Sequence, residues 1–503
     1  MLHGCVQLIN WYLSIQYFVR GDDKVRLSTG LSIDVHNAFD LMALLCYFLH
    51  NAPSAEAATA YMICTSDMEM QKQKVEKQFP FLNRKTTTGS ITYASFSRDC
   101  CSEMARVAME WNEQLDYSRV LGLLFYLDGY IDFERSLDLY MSTQKIVSAG
   151  IFEFECLNAS NVNTLHGRLI PRIVPNWRKK KYKCPLALAK KPLGLLHNYS
   201  WLPDNEWKIH NFYFDNVVVD ESKPLKIVCS ALTSKLPFCF QLHSEVTPHT
   251  FTTEYSEKQE QEIFSRIIET LLIACEEEAH CVLFPEMLAS PSVLDACQKY
   301  IRNEWKVSFP PLIFLPTAEY QAENGCIVNE LRILDGSGNK IVSYFKQEAF
   351  EYIDGDGRSY FERISADKQL VALHVKGIGR IATLICADAF NDSIVSLLTK
   401  EFGIDLLLIS ALSSGWDAFD RALSEYKHAS CDIVWCNSCA AYRECQGKKS
   451  IVYYPYGHMD HRATEILACG NASNCTSCAT IISIPQSYDE MEQIKTENLK
   501  GGE

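Results

Sequence analysis

Three residues able to do covalent chemistry each follow an apolar run. Glu286 follows Cys281-Val282-Leu283-Phe284-Pro285, Lys346 follows residues 340–345, and Cys386 follows residues 379–385. A thiol becomes a nucleophile when a base takes its proton, and a carboxyl in a partly desolvated pocket can have its pKa raised enough to be that base. A lysine ammonium beside the pair would stabilise both a thiolate and the oxyanion of a tetrahedral intermediate. Taken singly, none is diagnostic. A cysteine at a strand end is usually an inert core thiol, and Glu286 and Lys346 read equally well as loop and hairpin surface residues. The polar segment after Cys386 suits a helix start, so the sequence predicts an exposed thiol near a helix N-terminus, whose partial positive charge favours thiolate.

For the three to meet, their strands must end on one edge of an α/β layer, where such folds place their sites. The pattern from Lys223 onward provides one. Residues 225–232 read as a strand. Ser256-Glu257-Lys258-Gln259 has capping-box spacing ahead of a helix striped by Phe264, Ile267, Ile268, Leu271, Leu272 and Cys275. The strand that leads to Glu286 comes next, giving the strand, helix, strand order of an α/β layer. Residues 310–317 are a further strand. Asp335-Gly336-Ser337-Gly338-Asn339 between two apolar arms is hairpin chemistry, because Gly and Asn tolerate the positive φ of a tight turn. After Cys386 the pattern predicts helices over 392–402 and 419–430 and strands over 404–410, 433–437, 450–454 and 479–484.

The first half reads differently. Over residues 1–216 the helical period dominates, with Ala38, Phe39, Leu41, Met42, Leu45 and Phe48 on one helix face and further helices expected over 101–111, 119–127 and 133–146. Gly21-Asp22-Asp23 is like the metal-binding turn of template-dependent polymerases, although a surface turn is the plainer reading and too little chain precedes it for a complete polymerase. Arg178, Lys179, Lys180 and Lys181, between Trp177 and Tyr182, suit a nucleic-acid backbone, or else a solvated linker in a stretch punctuated by prolines 171, 175, 185 and 192.

The expected organisation is therefore a mostly helical domain at 1–222 with a basic linker near 171–192, an α/β domain at 223–485 and a polar tail at 486–503. With 503 residues the chain exceeds one ordinary core, and 47% hydrophobic with 22% charged residues marks a folded protein. A formal charge of -14 argues against nonspecific nucleic-acid binding by the whole chain. No apolar run reaches the roughly 18 residues of a membrane span, and no basic, signal-like start is present. Those features predict a cytoplasmic protein whose 21 cysteines are mostly reduced.

The order Phe284-Pro285-Glu286, Tyr344-Phe345-Lys346 and Leu384-Ile385-Cys386-Ala387-Asp388 resembles the Glu-Lys-Cys signature of the nitrilase superfamily, the carbon–nitrogen hydrolases. The flanks agree: Lys226-Ile227-Val228, Val328-Asn329-Glu330-Leu331, residues 403–410, Trp435-Cys436-Asn437 and residues 447–452 ending at Pro455-Tyr456-Gly457. The resemblance spans about 223–485. It implies a four-layer α-β-β-α sandwich, with Glu286 as general base, Cys386 as nucleophile, and Lys346 with the Ala387 N–H stabilising the oxyanion. It further implies an amide or nitrile substrate, a thioester intermediate, no cofactor or metal, and a homo-oligomer formed through this domain. Glu348 or Glu351 would supply the second glutamate that some members carry. Two departures stand out: Phe390 occupies the place where many amidases have arginine, and Lys346-Gln347-Glu348-Ala349 replaces the usual lysine-x-histidine-leucine.

Cys436-Asn437-Ser438-Cys439 and Cys475-Thr476-Ser477-Cys478 have the spacing of a zinc site. In the resemblance's register Cys436 lies on a core strand, where residues three apart face opposite ways. Buried reduced thiols are the expectation there. Two functions compete. One is a cysteine-dependent hydrolase of nonpeptide carbon–nitrogen bonds. The other is a nitrilase-like module of a reverse transcriptase-linked bacterial defence protein, its first half a polymerase remnant or nucleic-acid module.

Overall fold

The computed structural model describes residues 25–26, 32–33, 35–66, 68–83, 97–130, 141–148, 150–156, 167–172, 196, 198–220, 223–304, 307–424, 431–441, 448–453, 464–468 and 479–484. The Gly21-Asp22-Asp23 turn, the Arg178–Lys181 run, Cys475, Cys478 and the polar tail lie outside that set. The chain divides into two compact units. Among the described residues the first takes those up to Ser142, from Glu155 to Pro175 and from Cys184 to Asn205; the second takes Thr143–Phe154 and those from Glu206 on.

The first unit opens with the short pair β1 (Val25–Arg26) and β2 (Ser32–Ile33). Helices follow: α1 (Ala38–Asn51), α2 (Ser54–Ser66), α3 (Met68–Gln78), α4 (Arg98–Glu113) and α5 (Tyr117–Tyr130). Asn37 starts α1 by accepting the amide hydrogens of Phe39 and Asp40 at 2.9 and 3.0 Å. Almost every side chain of α1 is buried, as suits a central helix.

The chain then changes period. β3 (Met141–Ser148) and β4 (Ile151–Cys156) surround Gly150, whose φ of +74° makes the turn. A helix over 133–146 is thereby overturned for its last six residues. The competing principle is tertiary: β3 pairs with β4, and β4 pairs in turn with a strand far along the chain, so the hairpin is anchored by a partner that is not local. β5 (Gly167–Pro171) and β6 (Tyr199–Pro203) form an antiparallel pair in the first unit. β7 (Lys208–Val218) belongs to the second.

The second unit is mixed α/β. In order come β8 (Leu225–Ser230), β9 (Phe238–His243), β10 (Thr250–Tyr255), α6 (Glu257–Glu276), β11 (Cys281–Leu283), α7 (Pro291–Asn303), β12 (Leu312–Phe314), β13 (Ala318–Gln321), β14 (Ile327–Leu334) and β15 (Lys340–Phe345). Then follow β16 (Glu351–Ile353), β17 (Ser359–Glu362), β18 (Gln369–Lys376), β19 (Gly379–Ile385), α8 (Asp392–Ser396), β20 (Leu406–Ala411), α9 (Trp416–Ser424), β21 (Asp432–Asn437), β22 (Lys448–Tyr453), β23 (Thr464–Ala468) and β24 (Ala479–Ile484). One sheet runs β13-β14-β12-β11-β8-β24 with β15 also on β14, and a larger one runs β23-β22-β21-β20-β19-β18-β7-β4-β3. A third, small sheet runs β16-β17-β10-β9.

Strand alternation shows how the layers stack. Val228, Val282 and Ile313 pack with Ile267 and Leu271 of α6 and with Leu294 and Ile301 of α7, so helices cover that face of the first sheet. In the larger sheet Trp435 faces outward, its ring 5.2 Å from Phe419 of α9. Its neighbour Cys436 faces the other way and reaches the Leu283 and Ser230 carbonyls at 3.5 and 3.7 Å. The order is helix, sheet, sheet, helix: the four-layer α-β-β-α sandwich. Cys436 accordingly sits between the sheets, as a buried thiol.

Two local expectations resolve differently. Ser256 caps α6 through its backbone carbonyl, without a side-chain bond, and the Gln259 amide donates to the Leu236 carbonyl at 3.1 Å. The hairpin between β14 and β15 is as its residues predict: Asp335 Oδ1 accepts the Ser337 and Asn339 N–H groups at 2.8 and 2.9 Å, and Gly338 has φ +76°.

Gly379 opens the strand that leads to Cys386 at φ +107°, and a Cβ there would lie 2.2 Å from Asp405 Oδ2. The same oxygen accepts the Arg380 N–H at 2.8 Å. Gly379→Ala is therefore expected to destabilise the fold by about 2–4 kcal/mol. A lowered urea midpoint at unchanged m-value is the measurement.

Candidate active site

The ends of β11, β15 and β19 deliver Glu286, Lys346 and Cys386 to one buried place. Glu286 is 2% exposed, Lys346 0% and Cys386 3%. The Lys346 ammonium donates to Glu286 Oε1 at 2.6 Å, and the Cys386 thiol is hydrogen-bonded to the Glu286 side chain and to the Leu412 backbone. Backbone anchors fix each group. The Glu286 N–H donates to the Ala411 carbonyl at 3.3 Å, and the Lys346 N–H to the Asn329 carbonyl at 3.0 Å. Thr317 on the next loop accepts the Met287 N–H at 2.8 Å, where Met287 takes φ +58°.

A second carboxylate completes the cluster, and it is Glu362. Lys346 Nζ donates to Glu362 Oε2 at 2.5 Å, and Asn329 Nδ2 bridges Glu286 Oε1 at 3.2 Å and Glu362 Oε1 at 2.9 Å. The expectation of Glu348 or Glu351 is corrected. Glu348 accepts from Asn391 Nδ2 at 2.5 Å, and Glu351 is exposed on β16. Glu362 escapes a sequence reading because, besides its local pairing with β16, β17 is placed by a parallel ladder with the distant β10, and because a glutamate in a short alternating strand is expected to point at water.

Cys386 adopts φ +44°, a left-handed conformation that a non-glycine residue takes only at a cost, and it begins a 3₁₀ turn, Cys386–Phe390. Its thiol is not exposed, contrary to expectation. Nor does a helix start at Cys386 itself: α8 begins at Asp392 and continues as a π-helical segment, Leu397–Phe402, and the two together fill the helix expected over 392–402. Burial, then the charge of Glu286, push the thiol pKa well up, against the opposing pull of Lys346 and the Leu412 backbone. A thiol held up in this way gives up its proton only to a base in contact with it.

The carboxyl that touches it suits that task. Burial raises the Glu286 pKa, and Glu362 adds to the rise, while Lys346 opposes it. For Lys346, burial works against the charge, but Glu286, Glu362 and Cys386 outweigh it and the net shift is upward. With two carboxylates to one ammonium, Lys346 keeps its proton and Glu286 is an avid acceptor of one.

Asp388, quoted in the motif without a role, is the scaffold of the turn. Its Oδ1 accepts the Gln347 and Glu348 N–H groups at 2.9 and 2.7 Å; its Oδ2 accepts the Tyr344 hydroxyl at 2.7 Å and the Ile385 N–H at 3.1 Å. One carboxylate thus ties the segment after Lys346 to the segment before Cys386. Burial pushes it up to about 7, against these donors, Tyr344 first. Phe390 is 47% exposed and its ring lies 4.6 Å from that of Phe419.

Cys439, in the turn after β21, is buried. Among the described residues no group of three or more His, Cys, Asp or Glu side chains could hold a metal ion. No described helix is long and apolar enough to cross a membrane.

No protein-family model and no curated protein matches the chain. Solved structures do. The glutamine-dependent NAD+ synthetase of Acinetobacter baumannii, in complex with ADP, is 16% identical at a TM-score of 0.36, the match covering 52% of this chain and 45% of the synthetase. The chain thus matches less than half the length of that enzyme. A mutant amidase from Nesterenkonia sp. AN1, showing covalent addition of the acetamide moiety of fluoroacetamide at its active-site cysteine, is 12% identical over 56% of this chain and 99% of the amidase, at a TM-score of 0.37. A further mutant of that amidase, from the nitrilase superfamily, is 12% identical over 55% of this chain and 97% of its own length, at a TM-score of 0.35.

Proposed function

We propose that the second unit is a cysteine-dependent hydrolase of nonpeptide carbon–nitrogen bonds, acting on an amide or nitrile through a thioester. The observation that supports this best is the buried contact of one thiol, one raised carboxyl and one charge-locked lysine. As the Cys386 sulfur attacks the substrate carbon, Glu286 takes the thiol proton, so no free thiolate is needed at rest. The Lys346 ammonium and the Ala387 N–H stand against the charge that develops on oxygen. With an amide, Glu286 then returns the proton to the departing nitrogen; with a nitrile it returns the proton to the nitrogen of a thioimidate, to which a first water adds before ammonia leaves and the same thioester remains. Water attacks the thioester, Glu286 takes its proton, and the acid leaves with Cys386 again a thiol.

In this reading Glu362 and Asn329 are positioning residues. They hold Lys346 and Glu286 in register by bonds that change little through the cycle. Phe390 offers a substrate a ring and no guanidinium, so the carboxylate-bearing amides that an arginine would grip gain nothing from that position.

The test is acylation. Incubating the protein with a pool of small neutral amides and nitriles and quenching in acid should leave a mass increase equal to the acyl group, mapped to the peptide containing Cys386. A pool that neither acylates the protein nor releases ammonia would remove the proposal.

A further inference from the structure

Beside the site, two buried acceptors have no hydrogen-bond donor among the described residues. β13 pairs antiparallel with β14 with Glu319 opposite Asn329, so the two side chains leave the sheet on one face. Glu319 is 6% exposed and Asn329 is fully buried. Glu319 Oε1 accepts the Thr253 N–H at 2.8 Å and the Thr253 hydroxyl at 3.3 Å, while Oε2 has no partner. Asn329 gives its Nδ2 hydrogens to Glu286 and Glu362, and its Oδ1 has no partner. An ionised carboxylate and an amide oxygen are both acceptors and cannot satisfy each other. Turning the amide over would not help, because its oxygen would then face two carboxylates.

We propose that Glu319 is a protonated carboxylic acid that donates from Oε2 to Asn329 Oδ1, and that this bond holds the Asn329 amide in the orientation that serves Glu286 and Glu362. One proton satisfies both orphaned acceptors. It also keeps a third negative charge away from the single ammonium of Lys346. Glu319 is thus a positioning residue, acting on the acid–base pair through Asn329.

The surroundings agree. Burial pushes the Glu319 carboxyl up to about 7, with Glu362 the next cause, against the Thr253 bonds and Lys346. Tyr255, on the strand that also carries Thr253, has its phenol pushed up by burial first and stays neutral; its hydroxyl donates to the Met287 carbonyl at 3.4 Å. The charged groups acting on Glu319 are therefore Glu362 and Lys346. A carboxyl whose folded pKa lies above its unfolded one loses stability as pH rises from the unfolded value through the folded one.

This inference rests on the proposed hydrolase only for its kinetic consequence, and the experiment separates the two. Difference infrared spectra of the whole chain between acid and alkaline pH should show a protonated-carboxyl band that disappears through pH of about 7 in the wild type and is weaker by one carboxyl in Glu319→Gln, the remainder belonging to Asp388. The rate of amide hydrolysis should fall across the same interval in the wild type. Glu319→Gln, whose amide can donate to Asn329 but cannot ionise, should lack that alkaline fall. It should also recover most of the roughly tenfold or greater loss expected of Glu319→Leu in kcat. An unchanged infrared band in Glu319→Gln, or a glutamine variant as slow as the leucine one with an unaltered pH profile, would overturn the assignment. Should the wild type hydrolyse no amide, the infrared result still decides the protonation of Glu319, and the hydrolase reading alone is lost.

Discussion

Cys386→Ala is expected to lower the turnover of any amide or nitrile substrate by about 10⁴-fold or more, because the proposed attacking atom is gone and no other described thiol touches Glu286. The fold should survive. The substitution removes one sulfur from a 3%-exposed position, a loss on the order of 1 kcal/mol, and alanine meets the same φ of +44° as cysteine does. Circular dichroism and the denaturant midpoint should therefore match the wild type closely while the rate collapses. Glu286→Gln should be nearly as slow, since the thiol, pushed well above its ordinary pKa, has then lost the base that takes its proton. The double variant should be no slower than Cys386→Ala alone, because groups that act in one step do not lose rate additively. A double variant that loses the product of the two single effects would show that they act in separate steps.

Lys346→Met should do something different: unfold the site as well as silence it. The ammonium is the shared counter-charge of Glu286 and Glu362, at 2.6 and 2.5 Å, and all three side chains are at most 2% exposed. Removing it strands two carboxylates side by side away from water, at a cost of about 3–5 kcal/mol even after one takes up a proton. That penalty should shrink in acid, where both carboxyls are protonated and nothing is left to neutralise. Denaturant melts of Lys346→Met across pH measure this. A variant equally destabilised at every pH would mean that packing, not charge, is what Lys346 contributes. Lys346→Met/Glu362→Gln should recover part of the stability and none of the activity.

What the sequence discloses and what it hides follow from how each contact is made. Glu286, Lys346 and Cys386 are legible because each ends a strand that its own neighbours define, and strand ends on one edge of a sheet converge whatever the loops do. Glu362 is illegible because its placement depends on the β10–β17 ladder, which joins residues more than a hundred positions apart, and because its local pattern would send it outward. The strand at Met141–Ser148 is hidden at one remove: its own ladder partner, β4, is next in the chain, and it is β4 that is held by the distant β7. The reactivity expected of Cys386 failed for another reason. A strand end can be exposed or roofed over, and Leu412, packed against the aromatic cluster of the small third sheet, stands beside this one. Whether a thiol rests as thiolate depends on that cover and on the charges under it, neither of which is local in sequence.

The path of β7 bears on how this protein can be divided. β18 lies within the larger sheet because β7 pairs with it in parallel from Lys208↔Gln369 to Phe214↔Val375, and β4 extends the same sheet from earlier still. A fragment beginning at residue 223 would leave β18 as a raw edge, offering the backbone groups that now pair with β7 to whatever strand came next, including that of another copy. The chain also lends Thr143–Phe154 to the second unit before returning to the first. No single cut yields the two units intact. The first unit and the unit that carries the candidate site are thus interleaved along the chain, and truncation at any one point removes residues from both or splits one of them.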